Sequence, residues 1–252
     1  MKLKLGLKLW STNLELINDA KKLYETGLYQ YIELFAVPGS YEETIAKWAG
    51  CKMPFVIHAA HYMTGMDLSD HAKLDSNQIL IDEAIKFADA LSVSKIIFHP
   101  GVKGTLKETA RQLLSIGDDR LLIENVPLSS IDGKFTLLGS TPEEIHILLT
   151  SVPRLGFCLD VVHASCSANS HNQPIQSTID QFLYLKPQLF HLADNKLDTV
   201  IDEHLPFGTG SLPLKQIIGK LSGDQMITLE STKHLDNFYD LASNEAQAIY
   251  AN

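Results

Sequence analysis

Short apolar runs recur along the chain, and between them lie longer stretches in which apolar residues return every three or four positions. The short runs favour buried strands, whereas the three- and four-residue spacing favours amphipathic helices. One helix is predicted at 74–92, and another begins at Thr141, where Pro142 and Glu144 complete a capping box. We predict eight strands, at residues 3–10, 29–35, 54–59, 95–100, 120–126, 155–161, 188–194 and 225–231.

Eight strands that alternate with helices over 252 residues match the size of a (β/α)8 TIM barrel. No linker, low-complexity tract or charge block divides the chain, so we expect a single α/β domain over residues 1–252. A doubly wound open sheet alternates strands and helices in the same way and is the rival architecture. The barrel is favoured because chemically active residues end nearly every strand, and in a barrel these C-terminal ends form one active-site face.

Composition narrows the class of protein further. With 45% hydrophobic and 20% charged residues the chain is typical of a globular protein, and no apolar run approaches the roughly 20 residues that span a bilayer. Cys51, Cys158 and Cys166 form no CxxC pair, which favours a reducing compartment; we expect a cytoplasmic protein with no membrane partner. The net charge of −9 argues against broad attraction to nucleic acid, although it leaves a local basic groove open.

Imidazoles and carboxylates stand at the ends of the predicted strands. They are His58, His99, Glu124, Asp160, His163, His191 and Glu230, with Asp202 and His204 in the loop after strand 7. Any one of them alone is more often a hydrogen-bonded or capping residue than a ligand. Closely spaced buried carboxylates, however, need a compensating positive charge, and Lys196 is the only lysine or arginine that we expect near these ends. Imidazole and carboxylate without thiolate suit zinc or manganese, so the sequence predicts a metal site.

A resemblance to a known family rests on these same segments. The ordered series "VIHAAHY", "IFHPG", "IENVP", "CLDVVH", "FHLADNK", "DEH" and "TLEST" resembles the endonuclease IV family (AP endonuclease family 2), within the superfamily of xylose-isomerase-like barrels. The resemblance runs from about strand 2 to strand 8. It implies up to three metal ions, usually zinc, and cleavage of DNA at abasic sites with a metal-bound hydroxide as the nucleophile.

The resemblance also implies which residues hold each ion. His58 and His99 would bind the first metal, and Glu124 would bridge it to the second. The second metal would be completed by Asp160, His191 and Glu230, and the third would be held by His163, Asp202 and His204. We place the carboxylates of Glu124 and Glu230 in catalysis as well as in metal binding.

Outside the ligand set the sequence departs from the family. The loop after strand 2, "FAVPGSYEET", is acidic and lacks the arginine and tryptophan that the family carries there. His61 stands where the family has a tyrosine, Glu203 replaces the arginine of an Asp-Arg-His motif, and "GTG" at 208–210 replaces Gly-Glu-Gly. These departures leave the metal-ligand set intact and weaken the case for DNA as the substrate. Abasic DNA and another phosphodiester therefore both stay open as the substrate.

Two further functions are compatible with the sequence. Sugar isomerases and epimerases of the same superfamily use one metal, held by a quartet that Glu124, Asp160, His191 and Glu230 also fit, with the glutamates moving protons. Glu33, at the end of strand 2, resembles the isomerase pattern. His99, Asp202 and His204 would have no role in that one-metal site, so we favour the hydrolase. The third hypothesis is a metal-binding barrel that serves as a binding module without catalysis.

Overall fold

The computed structural model describes residues 3–221 and 224–251, and its core is a closed barrel of eight parallel strands paired in chain order. All eight predicted strands are confirmed, each shorter than predicted by one to three residues, and closure of the barrel rules out the open sheet. The strands are β1 (Lys4–Trp10), β2 (Tyr31–Phe35), β3 (Phe55–His58), β4 (Ile96–Phe98), β5 (Leu121–Glu124), β6 (Gly156–Asp160), β7 (Leu189–Leu192) and β8 (Met226–Leu229).

Helices surround the barrel, and at least one follows each strand. They are α1 (Ile17–Glu25), α2 (Tyr41–Ala49), α3 (Leu74–Ala90), α4 (Leu106–Ile116), α5 (Pro142–Ser151), α6 (Val161–Ser170), α7 (Ile175–Tyr184), α8 (Leu214–Ile218) and α9 (Phe238–Tyr250). The capping box predicted for α5 is present, since Thr141 accepts a hydrogen bond from the amide of Glu144 and the Glu144 carboxylate binds the amide of Thr141. In the described residues, no helix is long and apolar enough to cross a membrane.

Alternate residues of each strand face opposite sides of the barrel wall. Leu5, Leu7 and Leu9 of β1 join the large core between the strands and the helices. A second, smaller apolar cluster fills the barrel interior and takes one residue from each of the strands β2 to β7: Tyr31, Val56, Ile97, Leu122, Cys158 and Leu189. We call this cluster the lower layer. It closes the barrel interior with apolar side chains.

Two residues beyond each member of the lower layer, the same strand or its end presents a polar side chain to the interior. The positions are Glu33, His58, His99, Glu124, Asp160 and His191, joined by Lys8 of β1 and Glu230 after β8. We call this set the upper layer. Because a strand places residues i and i+2 on one face, a single alternating pattern positions both layers.

Gly6 lets the two layers fit together. A side chain at this position would place its Cβ atom 2.2 Å from the ring of Tyr31, so the Tyr31 ring occupies the space that glycine leaves. The Tyr31 hydroxyl then lies 2.9 Å from Oγ1 of Thr228, whose own hydroxyl donates to Glu33 at 2.6 Å. With glycine at position 6 of β1, Tyr31 and Thr228 form a hydrogen-bonded group directly beneath the upper layer.

Candidate metal centre

The structure brings all nine predicted ligand residues to one face of the barrel. His58, His99 and Glu124 form the first group, because Nε2 of His58 and Nε2 of His99 lie 3.1 and 3.2 Å from Oε2 of Glu124. Nδ1–H of His58 donates to the Ala59 carbonyl at 2.8 Å. With Nδ1 as the donor, the other ring nitrogen of His58, Nε2, faces a carboxylate oxygen, and these two atoms are of the kind that a metal ion takes as ligands.

His191 lies at the centre of a second group. Its Nε2–H donates to Oε2 of Glu33 at 3.0 Å, so the lone pair of the ring lies on Nδ1 once that nitrogen has released its proton. Nδ1 makes no hydrogen bond, although it lies 3.2 Å from Glu230, 3.3 Å from Glu124 and 3.9 Å from Asp160. A buried imidazole nitrogen that is unpartnered and surrounded by three carboxylates has the donor set of a zinc or manganese site.

The third group joins a helix to a loop. Nε2 of His163 lies 3.2 Å from Oδ2 of Asp202, and Nε2 of His204 lies 2.7 Å from the same oxygen. His163 lies in the first turn of α6, where its amide donates to Asp160 at 2.6 Å and its Nδ1–H donates to the Asn125 carbonyl at 2.9 Å. These two hydrogen bonds fix His163 beside the ends of β5 and β6. Asp202 of the loop is held there by its contact with His163, and His204 by its contact with Asp202.

Asn125 is a supporting residue that the sequence reasoning missed. Its side-chain amide donates to the carbonyl of Asp160 at 2.9 Å, and its side-chain oxygen accepts from the Asp160 amide at 2.8 Å. Its own carbonyl holds His163. Asn125 fixes the ends of β5 and β6 relative to each other, and the only sequence signal is its position directly after Glu124.

Protonation in this centre is set by burial and by the crowding of charges. Burial, together with the negative charges of Asp202, Glu230 and Glu124, raises the pKa of Asp160 to about 7 despite the opposing influence of His163. Burial disfavours the charged form of His163, but Asp160 and the hydrogen bonds to Asp202 and Glu124 outweigh it and hold the pKa well above its usual range. Burial also opposes the charged form of His191, and Cys158, Glu230, Glu33 and Glu124 raise its pKa well above the usual range.

One expectation about compensating charge was wrong. Lys196 is exposed and pairs with Glu203 at 2.7 Å, away from the upper layer. The cation of the centre is Lys8, whose Nζ lies 2.5 Å from Glu33 and 2.6 Å from Glu230. Burial disfavours its charge, yet Glu230, Glu33 and Glu124 raise the pKa of Lys8 above its usual value. Lysine and leucine both recur along β1, and this pattern alone does not show which face of the strand carries Lys8.

Glu33 lies between Lys8 and His191 and binds both of them. It accepts hydrogen bonds from His191 and Thr228 on one carboxylate oxygen and binds Lys8 with the other. This arrangement lowers the pKa of Glu33: burial would raise it, but the charges of His191 and Lys8 prevail. Glu33 therefore orients His191, as carboxylates commonly do for metal-binding histidines.

A cavity of about 790 Å³ opens above the centre. Aromatic and aliphatic side chains form much of its wall: Leu9, Trp10, Leu16, Phe35, Tyr62, Met63, Val126, Ile131, Leu137, Leu235 and Phe238. His61 is part of the same wall, with its ring stacked on that of His99 at 5.1 Å between centroids. Lys8 and Lys233 are the lysines of the wall in the part of the chain that the structure describes. Such a mostly apolar cleft above a few convergent polar groups is the usual form of a small-molecule site.

The family follows from the sequence comparison and agrees with the fold. Residues 22–249 match the family model described as the xylose isomerase-like TIM barrel, and the chain belongs to this family. Among curated relatives, "Probable endonuclease 4" of Pediococcus pentosaceus is 26% identical over 179 residues, covering 64% of this chain and 60% of that protein. The protein of the same description from Citrifermentans bemidjiense is 30% identical over 159 residues, covering 56% of each. The chain thus spans less than two thirds of either relative.

Solved structures share the fold over nearly the whole chain. Endonuclease IV from Thermus thermophilus has a TM-score of 0.71 and 20% identity, covering 97% of this chain and 98% of that one. A D-tagatose 3-epimerase-like protein has a TM-score of 0.74 and 17% identity, covering 98% and 96%. At these identities the likeness shows the barrel alone. The resemblance to the endonuclease IV group and the wider barrel superfamily is confirmed. The reaction has to be inferred from the geometry of the site.

Proposed function

We propose that the protein is a metal-dependent phosphodiester hydrolase. The observation that carries this proposal is the contact of His163 and His204 with one oxygen of Asp202, 3.2 and 2.7 Å away. Asp202 and His204 lie on the loop after β7, yet Asp202 contacts His163 of α6, and Nδ1 of His163 lies 3.2 Å from Oε1 of Glu124. A one-metal isomerase has no use for this third group, whereas a hydrolase that spreads charge over several cations does.

Three sets of residues would hold the metals under this proposal. The first is His58, His99 and Glu124, whose ligand atoms all lie within 4.8 Å of one another. The second is Glu124, Asp160, His191 and Glu230, and the third is His163, Asp202 and His204. Zinc is the first choice and manganese the second, because the donors are imidazole and carboxylate. When bound, such cations stabilise the charge of a phosphoryl group and lower the pKa of water.

The chain's own residues hold the arrangement in place. Glu124 is shared by the first and second sets, so its two oxygens link them. Glu33 fixes the ring of His191, and Asn125 ties Asp160 to His163. The apolar wall of the cavity excludes water around the reacting group, which strengthens every electrostatic interaction there.

The cavity supports a small phosphodiester more strongly than a DNA duplex. Duplex binding relies on lysine and arginine that neutralise several phosphates. The loop after β2 carries no arginine, and its amides at Gly39 and Tyr41 bind the carboxylate of Glu83 at 2.8 and 3.1 Å. Lys233, in the cavity wall, is paired with Glu245. Abasic DNA is therefore the second substrate to assay.

Metal content and substrate class test the proposal together. Protein purified without chelator is expected to hold more than one zinc per chain and to cleave bis(4-nitrophenyl) phosphate. Changing Asp202→Ala with His204→Ala should abolish this cleavage while the barrel stays folded, because several kcal/mol of charge stabilisation are lost. One metal or fewer at full occupancy, with no cleavage of either the small diester or abasic DNA, would contradict the hydrolase.

The second candidate is a one-metal sugar isomerase or epimerase. The convergence of Glu230, Glu124 and Asp160 on Nδ1 of His191 favours it, since this quartet alone can hold one ion. The same Asp202→Ala/His204→Ala variant separates the two functions, because an isomerase would keep most of its turnover. Sugar turnover that survives the double change, with no phosphodiester cleavage by the wild type, would establish the isomerase.

A further inference from the structure

The two lysines of the cavity wall differ in how many acceptors surround their ammonium groups. Nζ of Lys233 meets three: the carbonyl of Ser231 at 3.1 Å, the hydroxyl of Ser231 at 2.7 Å and the carboxylate of Glu245 at 2.8 Å. Within the described residues, Nζ of Lys8 meets two, on Glu33 and Glu230. An ammonium group has three protons to donate, so Lys8 retains one donor and Lys233 retains none.

The remaining N–H donor of Lys8 is available to a molecule bound in the cavity. Beneath the lysine, the Tyr31 ring and the hydroxyl of Thr228 close the barrel interior. The Lys8 side chain is 17% exposed, whereas that of Glu33 is fully buried, and Lys8 lines the cavity. The accessible part of its side chain therefore opens towards the space above Glu124 and the histidines.

Stability alone does not account for a lysine at this position. Removing an ammonium group from water costs several kcal/mol, and replacing a buried ion pair with apolar side chains is often neutral or stabilising. The lower layer of the same barrel, two residues away along the strands, is filled with apolar side chains. A charge held here at such a cost is typical of a functional group.

We propose that Lys8 is a substrate-binding residue, whose ammonium group donates a hydrogen bond to a non-bridging oxygen of the phosphoryl group. This inference rests on the proposed function. The two carboxylates hold the ammonium group in place before substrate arrives, so no reorganisation is needed when phosphoryl charge develops. Lys8 then contributes a positive charge from the chain itself, beside the metal-ligand residues.

The experiment measures binding of inorganic phosphate to the zinc-loaded protein by isothermal titration calorimetry. Lys8→Met keeps the length of the side chain and removes the charge. Phosphate affinity should fall about 10- to 100-fold, the usual size of a charge-assisted hydrogen bond. Lys233→Met is the matched control on the same wall, and its phosphate affinity should stay close to that of the wild type because its donors serve Ser231 and Glu245.

A counter-ion role is the rival explanation, since Lys8→Met leaves Glu33 and Glu230 without their partner. The double variant Lys8→Met/Glu33→Gln restores the charge balance and can be loaded with saturating zinc. Its phosphate affinity should remain low if Lys8 contacts the substrate. If the double variant regains the wild-type affinity, Lys8 is only a counter-ion and the inference is overturned.

The outcomes separate this inference from the proposed function. A wild-type protein that binds zinc but neither binds phosphate nor cleaves bis(4-nitrophenyl) phosphate would overturn the hydrolase and, with it, the role of Lys8. A wild type that does both, with Lys8→Met equal to it at the same zinc content, would overturn the role of Lys8 alone. Loss of phosphate affinity in both position-8 variants, with zinc retained, would support it.

Discussion

The lower and upper layers of the barrel interior are built on the same strands, two residues apart, and differ in almost every property. The lower layer holds Val56, Ile97 and Leu122, which are packed together and buried. The upper layer places His58, His99 and Glu124 directly above them. The apolar layer supplies the stability that lets like charges be gathered above it, where each carboxylate would be too costly without a partner.

Placing a charge in the lower layer should have the largest effect on the molecule, because it removes the stability that this layer supplies. Ile97→Asp puts an unpaired carboxylate at a fully buried position, and we expect the free energy of unfolding to fall by more than about 4 kcal/mol. Chemical denaturation monitored by circular dichroism measures the loss. Ile147→Asp, at a half-exposed position of α5, is the control and should change stability by less than about 0.5 kcal/mol. Equal losses in the two variants would show that the lower layer has no special role.

Removing a charge from the upper layer should spare the fold and abolish the chemistry. Glu124→Gln keeps the size of the side chain, but the link between the first and second ligand sets loses its charge. Activity on bis(4-nitrophenyl) phosphate should fall by about 10³-fold, as expected for several kcal/mol of lost stabilisation. Glu143→Gln, on the exposed side of α5, is the control. A fully active Glu124→Gln protein would place the centre elsewhere.

A smaller change sharpens the division between residues that bind a metal and residues that orient the ligands. Glu33→Gln weakens the hold on the His191 ring without removing any of the nine proposed ligands. Zinc affinity should fall about 10- to 100-fold, the usual cost of losing such an orienting carboxylate. Competition with a chromophoric chelator measures it. Glu83→Gln, which alters only the loop at Gly39 and Tyr41, should bind zinc as the wild type does.

Acidity should weaken zinc binding because protons compete for the same imidazoles. In the metal-free protein the pKa values of His163 and His191 are raised well above 6.5, so both rings hold protons at neutral pH and release them when the metal binds. Affinity should therefore rise with pH through the neutral range, by about tenfold per pH unit for each proton released. Calorimetry in buffers of different ionisation enthalpy counts these protons. An affinity that is constant between pH 6 and pH 8 would contradict the raised values.

Periodicity predicted the strands and helices, and the polar residues at the strand ends favoured the barrel over an open sheet. A residue such as His99 or Glu124 lies at the end of its predicted strand by position alone. Lys8 was missed because β1 reads as lysine alternating with leucine, and a pattern of that kind does not say which face is interior. The signal was Gly6: Lys8 follows it by two residues, as Glu124 follows Leu122.

The loop residues could be predicted only through the family resemblance. No periodicity connects Asp202 and His204 to β6, and the loop owes its shape to contacts distant in sequence. Asp194 accepts hydrogen bonds from the amides of Gly208, Gly210 and Leu212, which folds the loop back on itself. Such backbone contacts to one carboxylate leave no repeating pattern in the sequence.

The contacts that close the barrel also determine when the centre can form during folding. Lys8 binds Glu230, 222 positions along the chain, and the Tyr31 hydroxyl meets Thr228, 197 positions away. Contacts between such distant residues carry a large loop-closure entropy and form late. The ligand set is therefore incomplete until β8 docks against β1, and zinc present during refolding should bind with the kinetics of that final docking step. The rate of zinc binding during refolding would then equal the rate at which the barrel closes.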